Sequence, residues 1–391
     1  MKNLKLGIFG FGCVGQGLYH VLQQSNSINS EIVKICIKDL NKPRSLEAAY
    51  FTDKKDDLLQ NEGIDVIVEL IDDAEAAFEI VSTAMNNGKS VVSANKKMIA
   101  EHLEELLELQ EKNNVSLLYE ASCCASIPII RNLEEYYDND LLSSLEGIFN
   151  GSTNFILSKL IAGGQTYDEV LKEAQDLGFA ESDPTLDVEG IDPKYKLCIL
   201  LFHAFGLVAK PDDVFNYGIS KINDFDIDYA KKRGLTIKLI SKCRREGDKI
   251  EAYCLPTFIP IGSVLSQTSN EYNAVVLESA FSESQLLYGK GAGDKPTGSA
   301  VLSDISALNH DYKYEYKKKA KNEGKFELCE NFDMRLYVRY NGSSPDFNDF
   351  ESIEEKYQSD RGNFLVGTIK LKKLKNSRWL KDSTINTIVL N

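Results

Sequence analysis

Hydrophobic positions in the N-terminal part of the chain arrive in two alternating rhythms. Asn3 to Phe9 is an apolar run ending in Gly10-Phe11-Gly12-Cys13-Val14-Gly15, after which Leu18, Val21 and Leu22 recur at helical spacing. Short runs at Glu31 to Ile37, Asp65 to Ile71 and Ser90 to Val92 follow, with helical patterns between them. Strand and helix in strict alternation predict βαβ units, and therefore an α/β fold built on a parallel sheet. From about Ala121 the alternation loosens into a helix through Ile129, Ile130 and Leu133, a strand over Ser144 to Phe149, and the polar segment Asn150 to Asn154. Asp192 followed by Pro193 predicts a helix N-cap with proline in the first turn, continued by the apolar run Leu197 to Phe205. Pro256 to Leu277 reads as irregular strands and Ala300 to Leu308 as a helix. Beyond that, strands are predicted over Met334 to Tyr340 and Asn363 to Leu371, with a short acidic helix over Asp349 to Tyr357. The lysine clusters Lys317 to Lys319 and Lys370 to Lys375 read as solvated strand edges.

Charge narrows the partners. A net charge of −14 offers no basic footprint, which argues against nucleic acid and against acidic membrane surfaces. No stretch approaches the roughly eighteen apolar residues of a membrane span. The start MKNLKLGIFGFG enters a strand without a signal-peptide pattern, so a cytoplasmic location is expected. The cysteines lack paired CxxC spacing and His20, His102, His203 and His310 are scattered, which indicates neither a zinc site nor a disulfide framework.

Chemistry then gathers at four places. Gly10, Gly12 and Gly15 form GxGxxG between a strand and a helix, where bare backbone can approach a pyrophosphate at the helix N-terminus; the same pattern also serves as a plain tight turn. At the end of the second strand, Lys38 with Lys42 and Arg44 favours a 2′-phosphate and hence NADP, while Asp39 keeps NAD open. Lys96 follows the fourth strand, at the carboxyl end where parallel sheets bind ligands. Glu181 to Lys196 packs Glu181, Asp187, Asp192 and Lys196 around a helix start, with Asp192 and Lys196 four residues apart on one face. This offers one proton donor and several anionic anchors, a set suited to a small zwitterion. A second glycine-rich loop, Gly289 to Gly298, precedes the Ala300 helix and could equally be a connector.

The stretches GFGCVG, SVVSANK, YEASCCASIPIIRNL, GIFNGSTNFIL, GFAESDPTLDVEGIDPKYKL and YGKGAGDKPTGSAV stand in the order found in homoserine dehydrogenases, and the chain resembles that family from its N-terminus to about Leu308. The resemblance implies NAD(P)-dependent interconversion of L-aspartate 4-semialdehyde and L-homoserine, in threonine and methionine biosynthesis. It implies a Rossmann-type doubly wound parallel sheet over residues 1–126, completed by about 291–315, and a mixed α/β dimerisation and substrate domain over 127–290. Residues 316–391 take the position of a small, divergent ACT-like α+β segment. A homodimer would form through segments after Ser126 and after Pro296.

Roles follow residue by residue. Lys196 matches the general acid of aldehyde reduction; Glu181, Asp187 and Asp192 match the acids that hold the substrate's amino group and orient the lysine; Lys96 matches the second lysine of the site. Gly12, Cys13, Val14, Lys38, Ser93, Gly293 and Thr297 fall on cofactor-contacting positions beside Gly10 and Gly15. Glu120, with the carbonyls of Cys123, Ala125 and Ile127, matches a site for a monovalent cation, Na+ or K+. The chain departs from the family at Asp72 and Asp73, where glycines are usual, at CASIP in place of AGGIP, and at GKGAG in place of GPGAG. The C-terminal segment lacks the family's PGV-type turn, which argues against feedback by threonine. Two alternatives keep the fold: a non-catalytic binding or regulatory relative, and another amino-acid dehydrogenase.

Overall fold

The computed structural model describes residues 3–25, 28–44, 46–139, 141–322 and 324–390. It divides into two compact units, the first made of Met1–Asn139, Phe202–Lys210 and Gly289–Lys321, the second of Asp140–Leu201, Pro211–Tyr288 and Asn322–Asn391.

The first unit is built on six strands, β1 (Leu4–Phe9), β2 (Ser30–Cys36), β3 (Phe51–Thr52), β4 (Val66–Glu69), β5 (Ser90–Ser93) and β6 (Leu117–Leu118). Their order is β3-β2-β1-β4-β5-β6 and every neighbouring pair is parallel. Apart from Lys5, β1 is buried along its length, which is why it reads as an unbroken apolar run rather than an alternating one. Helices α1 (Cys13–Gln24), α2 (Ala74–Asn86), α3 (Lys96–Glu101) and α4 (Leu103–Asn113) make the connections. The chain leaves β1 towards β2 and β3, then returns to β4 on its other side. That reversal opens a crevice at the carboxyl ends of β1 and β4, the place where sheets of this order bind ligands. The helix Asp294–Leu308 packs on α1 through paired glycines: a Cβ on Gly17 would lie 1.9 Å from the Asp294 carbonyl oxygen, and one on Gly298 2.5 Å from the Gly17 carbonyl carbon.

The first lysine cluster is not a solvated strand edge. Lys317–Asn322 is a short helix and Lys318 is buried, its ammonium donating to the carbonyls of Leu133 and His203 at 2.9 Å each. The lysine satisfies carbonyls that helix ends leave without partners. Burial, only partly offset by the charges of Glu134 and Asp138, pushes its pKa down to about 8. The second cluster, likewise, closes a strand and begins the helix Leu371–Asn376 rather than lining an edge.

The second unit carries a larger mixed sheet. Its path runs through β7 (Leu142–Ile148), β8 (Leu235–Glu246), β9 (Lys249–Pro260), β10 (Tyr272–Ser279), β11 (Glu283–Lys290), β12 (Asp333–Tyr340), β13 (Ser352–Ser359), β14 (Gly362–Lys370) and β15 (Asn386–Leu390), in the order β11-β10-β7-β8-β9-β15-β12-β14-β13. The segment expected as irregular strands holds the end of β9, a loop over residues 261–271 and the start of β10. Helix α5 (Gly151–Ala162) follows β7, and α6 (Ile191–Phe205) begins one residue before Asp192, so Asp192 lies inside the first turn and not at the cap. One core includes the sheet face bearing Phe258, Tyr337 and Phe364, whose rings pack against Tyr229 of the helix Asp224–Lys232, and extends to Phe155, Ile156 and Leu157 of α5. The opposite face of the C-terminal strands packs Leu255, Leu336, Leu365 and Trp379.

The acidic segment expected as a helix is β13, an edge strand paired antiparallel with β14. Its charged residues favour helix locally, but the hairpin through Gly362, at φ +146°, lets it pair, and charge is what an exposed edge tolerates. The C-terminal strands run β15-β12-β14-β13, each antiparallel to its neighbour. That is the strand order of a split βαββαβ unit, with its first crossover reduced to the single turn Phe347–Asp349. These strands are continuous with the rest of the sheet, since β15 pairs with β9. No helix among the described residues is long and apolar enough to cross a membrane.

A buried network ties the C-terminal strands to the unit. Asp226, fully buried, accepts from Arg339 Nε at 2.9 Å, Tyr337 Oη at 3.0 Å and Asn386 Nδ2 at 2.9 Å. Asp226→Ala strands a buried guanidinium, and the expected loss is about 3–5 kcal/mol of unfolding free energy in urea titration; a loss below about 1 kcal/mol would mean that the C-terminal strands are held independently of it.

Candidate active site

The glycine loop after β1 is shaped by backbone alone. Gly10 sits at φ +95°, and a Cβ there would meet the Leu70 carbonyl oxygen at 2.6 Å. A Cβ on Gly15 would lie 2.6 Å from the Gly10 carbonyl oxygen, whereas nothing stands within 4 Å of the Cβ position on Gly12. Gly10 and Gly15 are therefore required by packing, and Gly12 leaves open space in front of the α1 N-terminus. Cys13 begins that helix and is exposed, with Val14 half-buried behind it. Amides and the dipole at such a terminus favour an anion. Lys38 is exposed just past β2, where Asp39 accepts from the backbone of Asn41.

Past β4 the two aspartates differ. Both are exposed, but Asp73 caps α2, its carboxylate accepting from the Ala76 amide at 3.0 Å. Replacing the family's glycine at Asp73 thus strengthens a helix start. Ser93, at the end of β5, is fully buried and donates to Glu69 at 2.6 Å. Burial, in spite of the hydrogen bonds from Ser93 and the Ile71 amide, pushes Glu69 up to about 7. Lys96 is the first residue of α3, half-buried, behind the N-cap Asn95. Gly293, at φ +116°, caps the Asp294–Leu308 helix, and Thr297 is buried in its first turn.

Glu120 is buried with its carboxylate turned to a helix start, accepting from the amides of Ile130 and Arg131 at 2.8 Å each. Its own amide donates to Asp304, which also binds Arg131 Nη2 at 2.9 Å. The Arg131 guanidinium contacts Asp304, while Glu120 accepts from the Arg131 amide. Burial first, and the nearby Asp304 charge second, push Glu120 up to about 8. Cys123, Ala125 and Ile127 lie in the buried turn between, with Cys124 at φ 53° and Ala125 at φ 40°. Ala125 stands where the family has glycine, in the left-handed region glycine enters freely. A carboxyl group with backbone carbonyls is a hard oxygen set, the donor chemistry that Na+ or K+ would take. Elsewhere in the first unit, Glu75, Glu101 and His102 bring ligand atoms within 4.8 Å of one another, although Glu75 is exposed and Glu101 lies 3.9 Å from Lys97.

In the second unit the structure assembles a compact polar centre on α6. Lys196 is 7% exposed and Asp192 4%, and the ammonium donates to Asp192 Oδ2 at 2.7 Å, one turn back along the helix. It donates also to the Phe149 carbonyl at 2.7 Å, at the end of β7. Asn150 follows Phe149, and its side-chain amide donates to Asp187 Oδ1 at 2.7 Å and to Asp192 Oδ2 at 2.8 Å. Asp187, on the short helix Thr185–Val188, is half-buried. Asp187, Asp192 and Lys196 are thereby brought together, with Asn150 as the member that residue-by-residue reading passed over. Its only signal was the polar segment directly after a strand. Glu181 remains on the surface, where its backbone carbonyl accepts from Gln175.

The Rossmann strand order with its glycine loop, and a buried lysine held by an aspartate, define by class a nucleotide-dependent oxidoreductase. Comparison with known proteins agrees. Residues 128–306 match the model of the homoserine dehydrogenase domain, and residues 10–120 that of the homoserine dehydrogenase NAD binding domain. The homoserine dehydrogenase of Bacillus subtilis is 39% identical over 317 residues, covering 79% of this chain and 73% of that one. The Neisseria gonorrhoeae enzyme is 39% identical over 313 residues, covering 78% and 72%. Among solved structures, a homoserine dehydrogenase from Thiobacillus denitrificans superposes with a TM-score of 0.87 at 31% identity, covering 100% of this chain and 98% of that one. A hyperthermophilic archaeal homoserine dehydrogenase in complex with NADPH gives a TM-score of 0.68 at 25% identity, covering 80% and 99%. The chain belongs to the homoserine dehydrogenase family.

The buried Glu69 carries a pH signature. Its folded pKa of about 7 lies above the ordinary 4.5, so the folded state holds the proton more tightly. Stability from this group is complete below about pH 4.5 and is lost as pH rises through about 7. Glu69→Gln keeps an acceptor for Ile71 and a donor for Ser93 without the charge. Chemical denaturation should find the variant more stable than the parent at pH 8, with the gain vanishing towards pH 5; an equal difference at both values would contradict the assignment.

Proposed function

We propose that the chain interconverts L-aspartate 4-semialdehyde and L-homoserine with NAD(P), and that Lys196 moves the proton. The observation that carries this is the buried ammonium held between Asp192 and the Phe149 carbonyl. A fixed proton donor of this kind protonates the aldehyde oxygen as the carbonyl becomes an alcohol, and in the opposite direction takes up the hydroxyl proton. The bound nicotinamide supplies or accepts the hydride. Asp192 orients Lys196, and Asp187 with Glu181 is proposed to bind the substrate's ammonium; their half-buried and exposed positions leave room for a ligand charge.

Gly10, Gly12, Cys13, Val14 and Gly15 would cradle the pyrophosphate, with Ser93, Lys96, Gly293 and Thr297 along the remainder of the cofactor. Exposed Lys38 supports NADP over NAD through its charge. Glu120, with the carbonyls of Cys123, Ala125 and Ile127, would hold Na+ or K+; the oxygen donor chemistry of the set supports the reading. We further propose a homodimer in the cytoplasm acting in threonine and methionine biosynthesis, with neither nucleic acid nor membrane as partner. Eight cysteines without a disulfide fit a reducing compartment. The C-terminal strands are read as a reduced ACT-like unit, on the strength of their order.

Steady-state oxidation of L-homoserine, assayed with NADP+ and with NAD+ beside a panel of other hydroxy and amino acids, tests the proposal. Homoserine should be turned over with a higher kcat/KM than any other member, and with NADP+ preferred. Absence of homoserine turnover with either cofactor would overturn it.

A further inference from the structure

The orientation of the Asn150 amide is settled by its surroundings. Asn150 lies two residues past β7 and caps α5: its Oδ1 accepts from the Thr153 amide at 2.8 Å and from the Thr153 hydroxyl at 3.0 Å. An oxygen facing an N–H cannot be exchanged for the NH2 group, so the nitrogen must point the other way. It points at two carboxylates, Asp187 at 2.7 Å and Asp192 at 2.8 Å, from a side chain that is 5% exposed. Both hydrogens of one neutral amide are thus spent on two acids that would otherwise repel each other across a short gap. The Asp192 oxygen it grips is also the one that receives the Lys196 ammonium. The carbonyl immediately before Asn150 also accepts from the ammonium.

We propose that Asn150 is a positioning residue of the reaction. By donating to Asp187 and Asp192 together it keeps both carboxylates ionised and fixed, and so aims Lys196. This rests on the proposed role of Lys196. Helix capping is a separate duty of the same side chain, carried by its oxygen, and substitutions can divide the two. Serine and aspartate cap helices about as well as asparagine, whereas alanine does not. Neither serine nor aspartate can supply two donors to the acids.

The test compares Asn150→Ser, Asn150→Asp and Asn150→Ala by thermal unfolding and by the pH dependence of kcat. Asn150→Ser should leave Tm within a few degrees of the parent, because the cap survives. Its kcat should fall by at least ~10-fold, since misplacement of a reacting group by about 1 Å can cost ~100-fold. Asn150→Asp sets a third carboxylate against two and should move the acid limb of the kcat profile upward by at least about one pH unit. Asn150→Ala should match the activity of the serine variant while unfolding at a lower temperature. If Asn150→Ser keeps kcat within about twofold with an unchanged profile, or if activity across the three follows Tm alone, the residue is only a helix cap and the proposal fails. A parent protein that turns over homoserine, with Asn150→Ser turning it over at the parental rate, defeats this proposal alone; a parent without that activity defeats the function on which it rests.

Discussion

The contact on which the functional account depends is the buried ion pair between Asp192 and Lys196. Two charges taken out of water are expensive unless geometry and further hydrogen bonds compensate. Here the spacing of one helical turn, with the acid on the N-terminal side, supplies the geometry. Phe149 and Asn150, from the junction of β7 and α5, supply the remaining bonds. A pair placed this way contributes little net stability and is explained better by chemistry than by folding. α5, which follows that junction, is anchored in the core of the second unit through Phe155, Ile156, Leu157 and Leu160.

How much of this could be read beforehand depended on how local the cause was. The parallel sheet was legible because β1, β4 and β5 are buried on both faces and flanked by helical periodicity. Lys196 and Asp192 were legible because their contact is one helix turn long. Asn150 was not, since its partners lie 37 and 42 residues away and only folding brings them to it. The same reasoning accounts for the errors. The acidic β13 looks helical until its hairpin partner is considered, and Lys318 looks solvated until the carbonyls of Leu133 and His203 are placed over it. In Pro256 to Leu277 the irregularity is confined to the loop 261–271, because the residues before it belong to β9, which pairs along its whole length with β8 in a register no local pattern announces.

The departures from the family pattern now have partial physical accounts. Asp73 caps α2, and Ala125 occupies a left-handed conformation in a buried turn next to Glu120. Membership of the family and the strand order of the first unit stand on the comparisons and the topology together. The assignment of chemistry to single residues is a claim about one ammonium.

That claim is tested most directly by Lys196→Met, which removes the proton while keeping much of the side chain's bulk. NADPH binding by fluorescence titration and turnover of aspartate 4-semialdehyde should be measured on the same preparation. The expected result is a cofactor Kd within about twofold of the parent and a kcat reduced by at least ~100-fold, the usual scale for loss of a general acid. Turnover at the parental rate with cofactor binding intact would contradict it.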